Sequence, residues 1–573
     1  MAALRVWGPN LSRLRVRFDG SDTDLERGDD GFWTGPDLAA GTDYWLLLDD
    51  SDETLPDPGS RWQPDGVHGP SRVYDQDAFA WHDRDWKGRD LTAAVVYEMH
   101  IATFTEDATF DGAISRLDEL VELGVTHLEV LPVNGVNGVW NWGYDGVDWY
   151  AVHEPIGGPD GFKRFVDAAH VRGLAVVLDV VYNHLGPSGN YLPKFGPIFK
   201  AGRNTWGDLI DVENPGVRRF VLDNALMWLR DYHVDALRLD AVHALQDDSP
   251  QHILAQLADE VAALQKSVGR PLTLIAESDL NDPMMITPES DGGRGMDAQW
   301  DDDVHHALHA LLTGERQGYY VDFGSLEVLA KTLTRAFLHD GTYSTFRERV
   351  HGAPIDPKKQ HGWQFVVCLQ DHDQVGNRAV GDRLPEITSP DRLRIGAVLL
   401  LTAPFTPMLW MGEEWAASTR WPFFTSHPEP DLAKATAEGR VQEFASHGWD
   451  VSQMIDPQDP EAYRTAILNW SERTEGDHAR VLRLYTQLIA LRAAEPDLHG
   501  TDLTKTSVDY DEDAQWIVVH RGGFRIAANL SDEQVRLPVH GPELVLATGA
   551  ARFDNGALLL GPQSAAIVRL TTR

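Results

Sequence analysis

Short alternating runs open the chain. Leu14 to Phe18 (LRVRF) and Tyr44 to Leu48 (YWLLL) are apolar segments separated by turn-rich stretches such as DGSD and DLAAGTD. That pattern predicts the strands of a small β-sandwich over residues 1–88. Pro56 to Ser71, rich in Pro and Gly, predicts irregular chain packed between this domain and the next.

From Ala93 the pattern changes. Continuous β-branched runs now alternate with amphipathic segments. VVYEMH (Val95 to His100), THLEVLPV (Thr126 to Val133), LAVVLDVVY (Leu174 to Tyr182), VDALRLD (Val234 to Asp240) and LTLIAES (Leu272 to Ser278) predict successive strands. MDAQW (Met296 to Trp300) is a weaker sixth. QFVVCLQ (Gln364 to Gln370) and PMLWMG (Pro407 to Gly412) supply a seventh and an eighth. Helices are predicted over Gly112 to Leu123, near Gly161 to Arg172, over Pro215 to Tyr232, and in a stretch ending near Val268. Apolar strands alternating with helices imply a parallel sheet covered on both faces. Eight such units over residues 89–498 favour a closed (β/α)8 barrel over an open doubly wound sheet. No Gly-rich dinucleotide fingerprint follows the first strand, which also argues against the open form. Alternation returns after Leu498 in WIVVHR, FRIAANL and AAIVRL, predicting a C-terminal β-sandwich over residues 499–573. The expected fold class is therefore multidomain α/β, a central (β/α)8 barrel with antiparallel β-sandwich domains at both ends.

Composition narrows the function. The formal net charge is -38, so a polyanionic partner is disfavoured, because neutralising phosphates needs basic surface. The expectation is no nucleic acid and no membrane. The single cysteine, Cys368, excludes an internal disulfide framework and fits a reducing compartment. No transmembrane run is found, and the first residues lack the apolar core of a signal peptide. The expected location is cytoplasmic. Many of the 19 Trp and 14 Tyr stand beside Gly, Asn, Asp or His, where flat apolar faces next to polar groups suit sugar rings.

The polar residues at the predicted strand ends carry the chemistry, since that end of a barrel forms the active-site face. The third strand runs into Asp179, Asn183 and His184. The fourth ends in Arg238 and Asp240, with His243 beyond. The fifth ends in Glu277, and the seventh is followed by Asp371, His372 and Asp373. One such carboxylate could cap the next helix; independent capping around the ring does not explain the interleaved Arg and His. Converging Asp, Glu and His could hold a divalent cation or perform glycoside hydrolysis, which needs one ionised and one protonated carboxyl. Arg238, two residues from Asp240, favours the second, because a nearby cation favours the charged form of a carboxyl. Glu277 follows Leu274, Ile275 and Ala276, an apolar setting that raises a carboxyl pKa.

These strings resemble the signatures of the α-amylase superfamily of glycoside hydrolases: DVVYNH (Asp179 to His184), ALRLDAVH (Ala236 to His243), LIAES (Leu274 to Ser278) and QDHDQVGNR (Gln370 to Arg378). The resemblance implies Asp240 as nucleophile, Glu277 as general acid/base and Asp373 as transition-state stabiliser. It implies sugar contacts from His184, Arg238, His243, His372, Gln374 and Asn377, and stacking by Tyr144 in NWGYDG. Two positions depart from the usual pattern. Asp371 stands where Asn is common, and His243 with Ala244 stands where Lys-His is common. Some superfamily members bind calcium beside the residue matching Asn183; the loop from Leu185 to Val212 is poor in further carboxylates, and neither metal nor cofactor is expected.

A narrower resemblance rests on YEMHIATFTEDATF (Tyr97 to Phe110), PDGVHGPS (Pro64 to Ser71), WDDDVHHALH (Trp300 to His309) and WPFFTSHPEPDLAKATAEGRVQEF (Trp421 to Phe444). Together these are similar to the maltooligosyltrehalose trehalohydrolases. That likeness implies endo-hydrolysis of the α-1,4 bond next to a terminal trehalose, a maltooligosyltrehalose substrate and work downstream of maltooligosyltrehalose synthase. It also implies substrate contacts from Asp303, His305 and His306, and a glycogen-binding-module-like N-terminal domain. The competing readings are a glycogen branching enzyme or general α-amylase on the same scaffold, and a non-catalytic glucan-binding protein. The last typically lacks one catalytic carboxylate, and all three stand here.

Overall fold

The computed structural model describes residues 2–446, 451–541 and 543–570. Its centre is a closed barrel of eight parallel strands: β1 (Val96–Met99), β2 (His127–Val130), β3 (Ala175–Val180), β4 (Ala236–Leu239), β5 (Thr273–Ala276), β6 (Ala298–Trp300), β7 (Phe365–Cys368) and β8 (Thr406–Trp410). They follow one another around the ring in chain order, and β8 closes on β1 through Met408 opposite Val96. Every strand predicted from the sequence is present, the short sixth included.

The strand period of two sorts each run into an inward and an outward face. Val96, Val177, Ala236, Ile275, Ala298, Val366 and Met408 pack together inside the barrel. Their neighbours Tyr97, Leu128, Val176, Leu237 and Leu274 pack outward against the helices. Both faces are therefore apolar, which is why these strands read as continuous runs. The helices start and stop on local signals. Pro215–Asp231 begins where the Asn214 side chain accepts from Gly216 N–H, with Pro in the first turn, and Ile253–Val268 ends at Gly269 with φ 70°. The helix predicted over Gly112 to Leu123 is instead two short ones, Phe110–Ile114 and Leu117–Leu123. The Ser115 hydroxyl donates to the Gly112 carbonyl at 2.6 Å and ends the first.

The N-terminal sheets, one of three strands and one of four, enclose a core of Leu14, Val16, Trp33 and Leu46. Phe195, from the long loop after β3, joins that core and docks the sandwich on the barrel. Five-stranded and three-stranded antiparallel sheets form the C-terminal domain around Val518, Leu537, Leu558 and Ala566. Two long insertions interrupt the strand–helix alternation of the barrel. One follows β6 and carries helices Asp302–Thr313 and Leu326–Arg335 and a hairpin, Thr342–Ser344 with Arg349–His351. The other follows β8 and includes the helix Pro430–Ser446. Among the described residues no helix is long and apolar enough to cross a membrane.

Candidate active site

The site grows from the register of β3 against β4. Asp179 and Arg238 are direct partners in that pairing and both point inward. Arg238 has no solvent exposure. Its Nη1 donates to both Asp179 oxygens at 2.9 and 2.8 Å and to Asp240 Oδ1 at 2.8 Å. Its Nη2 lies 3.3 Å from Glu277 Oε2, and its plane sits over the Trp300 ring at 4.3 Å. Burial works against the guanidinium charge, but Asp179 and Glu277 outweigh it and hold its pKa above the usual value. Burial also pushes Asp179 up to about 6, against the pull of Arg238.

Asp240 is held from a second side. Asn183 Nδ2 donates to Asp240 Oδ2 at 2.7 Å and to its carbonyl at 3.0 Å. Glu277, at the end of β5, accepts from the backbone N–H of Ala241 at 2.5 Å. Burial pushes Glu277 up to about 8; Asp240 and Asp373 push the same way, and Arg238 opposes them. One carboxyl thus sits in direct contact with a cation while the other favours its neutral form, the asymmetry that acid and nucleophile require.

The third cluster follows β7. Asp371 caps the helix His372–Gly376, accepting from Gln374 N–H at 2.8 Å. Asp373, on the first turn, keeps 41% side-chain exposure and so faces the open site. His372 Nε2 lies 3.6 Å from Asp373 Oδ1, and Asn377 Nδ2 donates to the same oxygen at 3.2 Å. Tyr144 donates to Asp179 at 2.6 Å and stacks on the His372 ring with centroids 5.1 Å apart. His184 bonds Asn183 Oδ1 at 2.6 Å and the Tyr144 carbonyl at 2.9 Å. His243 Nδ1 accepts from Asp279 N–H at 3.3 Å, and burial lowers its pKa.

Asp240, Glu277, Asp373, Tyr144, His184, Arg238, His243, His372 and Asn377 are therefore brought together at one mouth, and Gln374 joins them only through its backbone N–H on Asp371. Asp303, His305 and His306 do not. Asp303 is buried, its Oδ2 accepting from Asn281, Leu338 N–H and His339 N–H. His305 meets the Tyr320 hydroxyl at 3.1 Å, and His306 stacks on Tyr319. Their helix turns them into its own packing, and the acid near the site is instead Asp302, partly exposed, whose pKa burial raises with Asp371 and Glu277 adding to it. Sequence reasoning also passed over Trp206, 48% exposed and stacked near His184 at 6.0 Å, and Arg347, paired with Asp279 from the hairpin tip. Their signal was an isolated aromatic or cation in a loop, which sequence alone does not place.

The α-amylase catalytic domain family matches residues 76–195, and a family described as a domain of unknown function (DUF3459) matches residues 501–567. A malto-oligosyltrehalose trehalohydrolase of Rhizobium sp. (strain M-11) is 51% identical, covering 98% of this chain and 97% of its own. One from Arthrobacter ramosus is 52% identical over 99% of both chains. The chain belongs to the malto-oligosyltrehalose trehalohydrolase family. A solved structure described as a putative α-amylase from Salmonella typhimurium superposes with TM-score 0.91 at 37% identity, covering 99% of this chain and 97% of its own. The family is a branch of the α-amylase glycoside hydrolases, and the barrel is the fold that this membership carries.

Proposed function

We propose that the protein hydrolyses the α-1,4-glucosidic bond next to the terminal trehalose of maltooligosyltrehalose, releasing trehalose with retention at the cleaved sugar. In this reading Asp240 attacks the anomeric carbon and a β-glycosyl-enzyme forms. Glu277 gives its proton to the leaving oxygen and later takes one from the incoming water. Two inversions give net retention. Asp373 binds ring hydroxyls of the flattened, oxocarbenium-like sugar, and Arg238, His184, His372 and Tyr144 orient it.

The observation that carries this reading is the guanidinium shared by nucleophile and acid. Arg238 Nη1 is 2.8 Å from Asp240 and Nη2 3.3 Å from Glu277. Two carboxyls on one guanidinium suit direct attack by the first while the second serves the leaving group. Two exposed aromatics stand near the site: Trp206, 6.0 Å from His184 and 6.2 Å from His243, and Phe346, against the Arg347 guanidinium that pairs with Asp279. Such flat faces and fixed polar groups can reward a bent, non-reducing disaccharide and penalise a linear chain. The names of the full-length relatives support the trehalose end. The reading also implies cytoplasmic work downstream of a maltooligosyltrehalose synthase.

The test is a product analysis on maltopentaosyl trehalose and on maltoheptaose. Rapid trehalose release with slow cutting of maltoheptaose is expected. Equal cutting of both would make it a general α-1,4-glucan hydrolase, and new branches on amylose would make it a transferase.

A further inference from the structure

Glu98 stands near the end of β1 and is 1% exposed. Both of its oxygens engage one residue across the barrel mouth. Oε2 accepts the backbone N–H of His372 at 3.0 Å, and Oε1 bonds His372 Nδ1 at 2.6 Å. The main chain and ring of His372 are thus fixed by one carboxyl. Stacking on Tyr144 and an edge contact with Trp142 at 5.9 Å hold the ring plane. Nε2 is then left facing Asp373 at 3.6 Å. Glu129 on β2 is the contrast. It pairs in register with Glu98 and is equally buried, yet neither of its oxygens has a hydrogen-bond partner.

We propose that Glu98 is a positioning residue for glycoside cleavage: its two-point contact fixes the His372 ring so that Nε2–H donates a charge-assisted bond into the sugar subsite beside Asp373. The inference rests on the hydrolase reading above. Burial works against a charge on His372, but Asp373 and Glu98 outweigh it and lift the ring to about 10. The other ionisable groups facing it are Arg238 on β4, which opposes, Asp179 on β3, Glu129 on β2, Asp371 next to it in the chain, His100 after β1 and the Tyr144 hydroxyl. Burial lowers His100 to about 4 and raises Glu129, so in each case burial works against a charge beside the ring. Asp179 is committed to Arg238. Burial pushes Asp371 up to about 7, and its Oδ1 is taken by Gln374 N–H. Glu98 and Asp373 are the carboxyls set against the two ring nitrogens, and a charged donor bonds a hydroxyl roughly twice as strongly as a neutral one.

The test is the pH dependence of kcat/KM for wild type, Glu98→Gln, Glu98→Asp and Glu129→Gln. Glu129→Gln replaces an acid that has no hydrogen bond to His372 by its isostere and should match wild type. Glu98→Gln should lose about 10- to 100-fold at pH 7. Its alkaline limb should move from about 8 towards the ordinary histidine range near about 6.5. Glu98→Asp keeps the carboxylate and should return the limb to the wild-type position. Glu98→Ser, which leaves room for water, gives the same reading if the glutamine variant does not fold. A limb that stays with wild type's, whatever the loss of rate, overturns the proposal, because a purely structural acid lowers activity without moving an ionisation. Failure of the functional reading is separate. It shows in wild type as no cleavage next to trehalose, and the same ratios are then read on maltoheptaose.

Discussion

Glu277 Oε2 accepts a hydrogen bond from the backbone N–H of Ala241, the residue that follows Asp240, at 2.5 Å. Ala241 has φ 41° and ψ 49°, a left-handed turn that aims this N–H across to β5. The nucleophile's own peptide therefore holds the acid, and the two carboxyls are set by one segment. Glu277→Gln keeps an acceptor for that N–H and the same volume, but it has no proton to give. Its rate should fall by about 100- to 10,000-fold, with the melting temperature unchanged. A substrate with a leaving group that needs no protonation should recover most of the rate of the first step. Steady-state kinetics with both substrates checks this, and equal losses on both would contradict it.

The same carboxyl sets a pH limit. Glu277 is pushed up to about 8, first by burial and then by Asp240 and Asp373. The protonated form is the active one. As pH rises through about 8, the proton is lost and kcat/KM should fall, approaching about tenfold per pH unit. The limb should vanish in Glu277→Gln, whose residual rate should be flat there. A wild-type profile still rising past pH 9 would contradict the assignment.

The parts of this site that the sequence made legible share one property. Asp179, Asp240 and Glu277 each end or directly follow an apolar strand, so strand period and barrel geometry together fix the direction they face. Residues on helices and loops lacked that constraint. In the run Asp301-Asp302-Asp303 three identical acids follow β6, and only the helix start decides among them. Asp301 caps it, Asp303 turns inward to hold Leu338 and His339, and Asp302 turns towards the mouth. Glu98 was hidden for another reason. A single acid inside VVYEMH reads as a strand with one polar position, and its meaning depends on His372, 274 positions away. The break at Ser115 needed a side chain bonding back to its own turn, which hydrophobic period does not report.

Removal of divalent cations should leave activity intact. Among the described residues no cluster of three or more His, Cys, Asp or Glu is arranged to hold a metal ion. The side chain most suited to a calcium beside the site, Asn183, is already engaged. Its nitrogen donates to Asp240 and its oxygen bonds His184. Rates after extended EDTA dialysis should match the untreated enzyme within error. A loss that added calcium restores would contradict this.

At the opposite end of β4, Asp235 organises stability rather than chemistry. It is 1% exposed. Its oxygens accept from Trp86 Nε1 and Arg270 Nη1 at 2.8 Å, and from Val176 N–H at 2.9 Å; His170 Nε2 lies within 2.9 Å. Burial alone would raise its pKa, but His170 and Arg270 outweigh this and lower it. A carboxyl depressed in the folded state stabilises at neutral pH, and the contribution is lost as pH falls through the folded value. Asp235→Asn leaves Arg270 and His170 facing a neutral amide inside the protein, which should cost about 3–5 kcal/mol. Denaturant unfolding at pH 7 should show that loss, and the difference from wild type should shrink as pH is lowered. The kcat of the folded variant should be unchanged, because the residue lies at the barrel end away from the catalytic face. A variant as stable as wild type, or one impaired in kcat at full stability, would contradict this division of labour along a single strand.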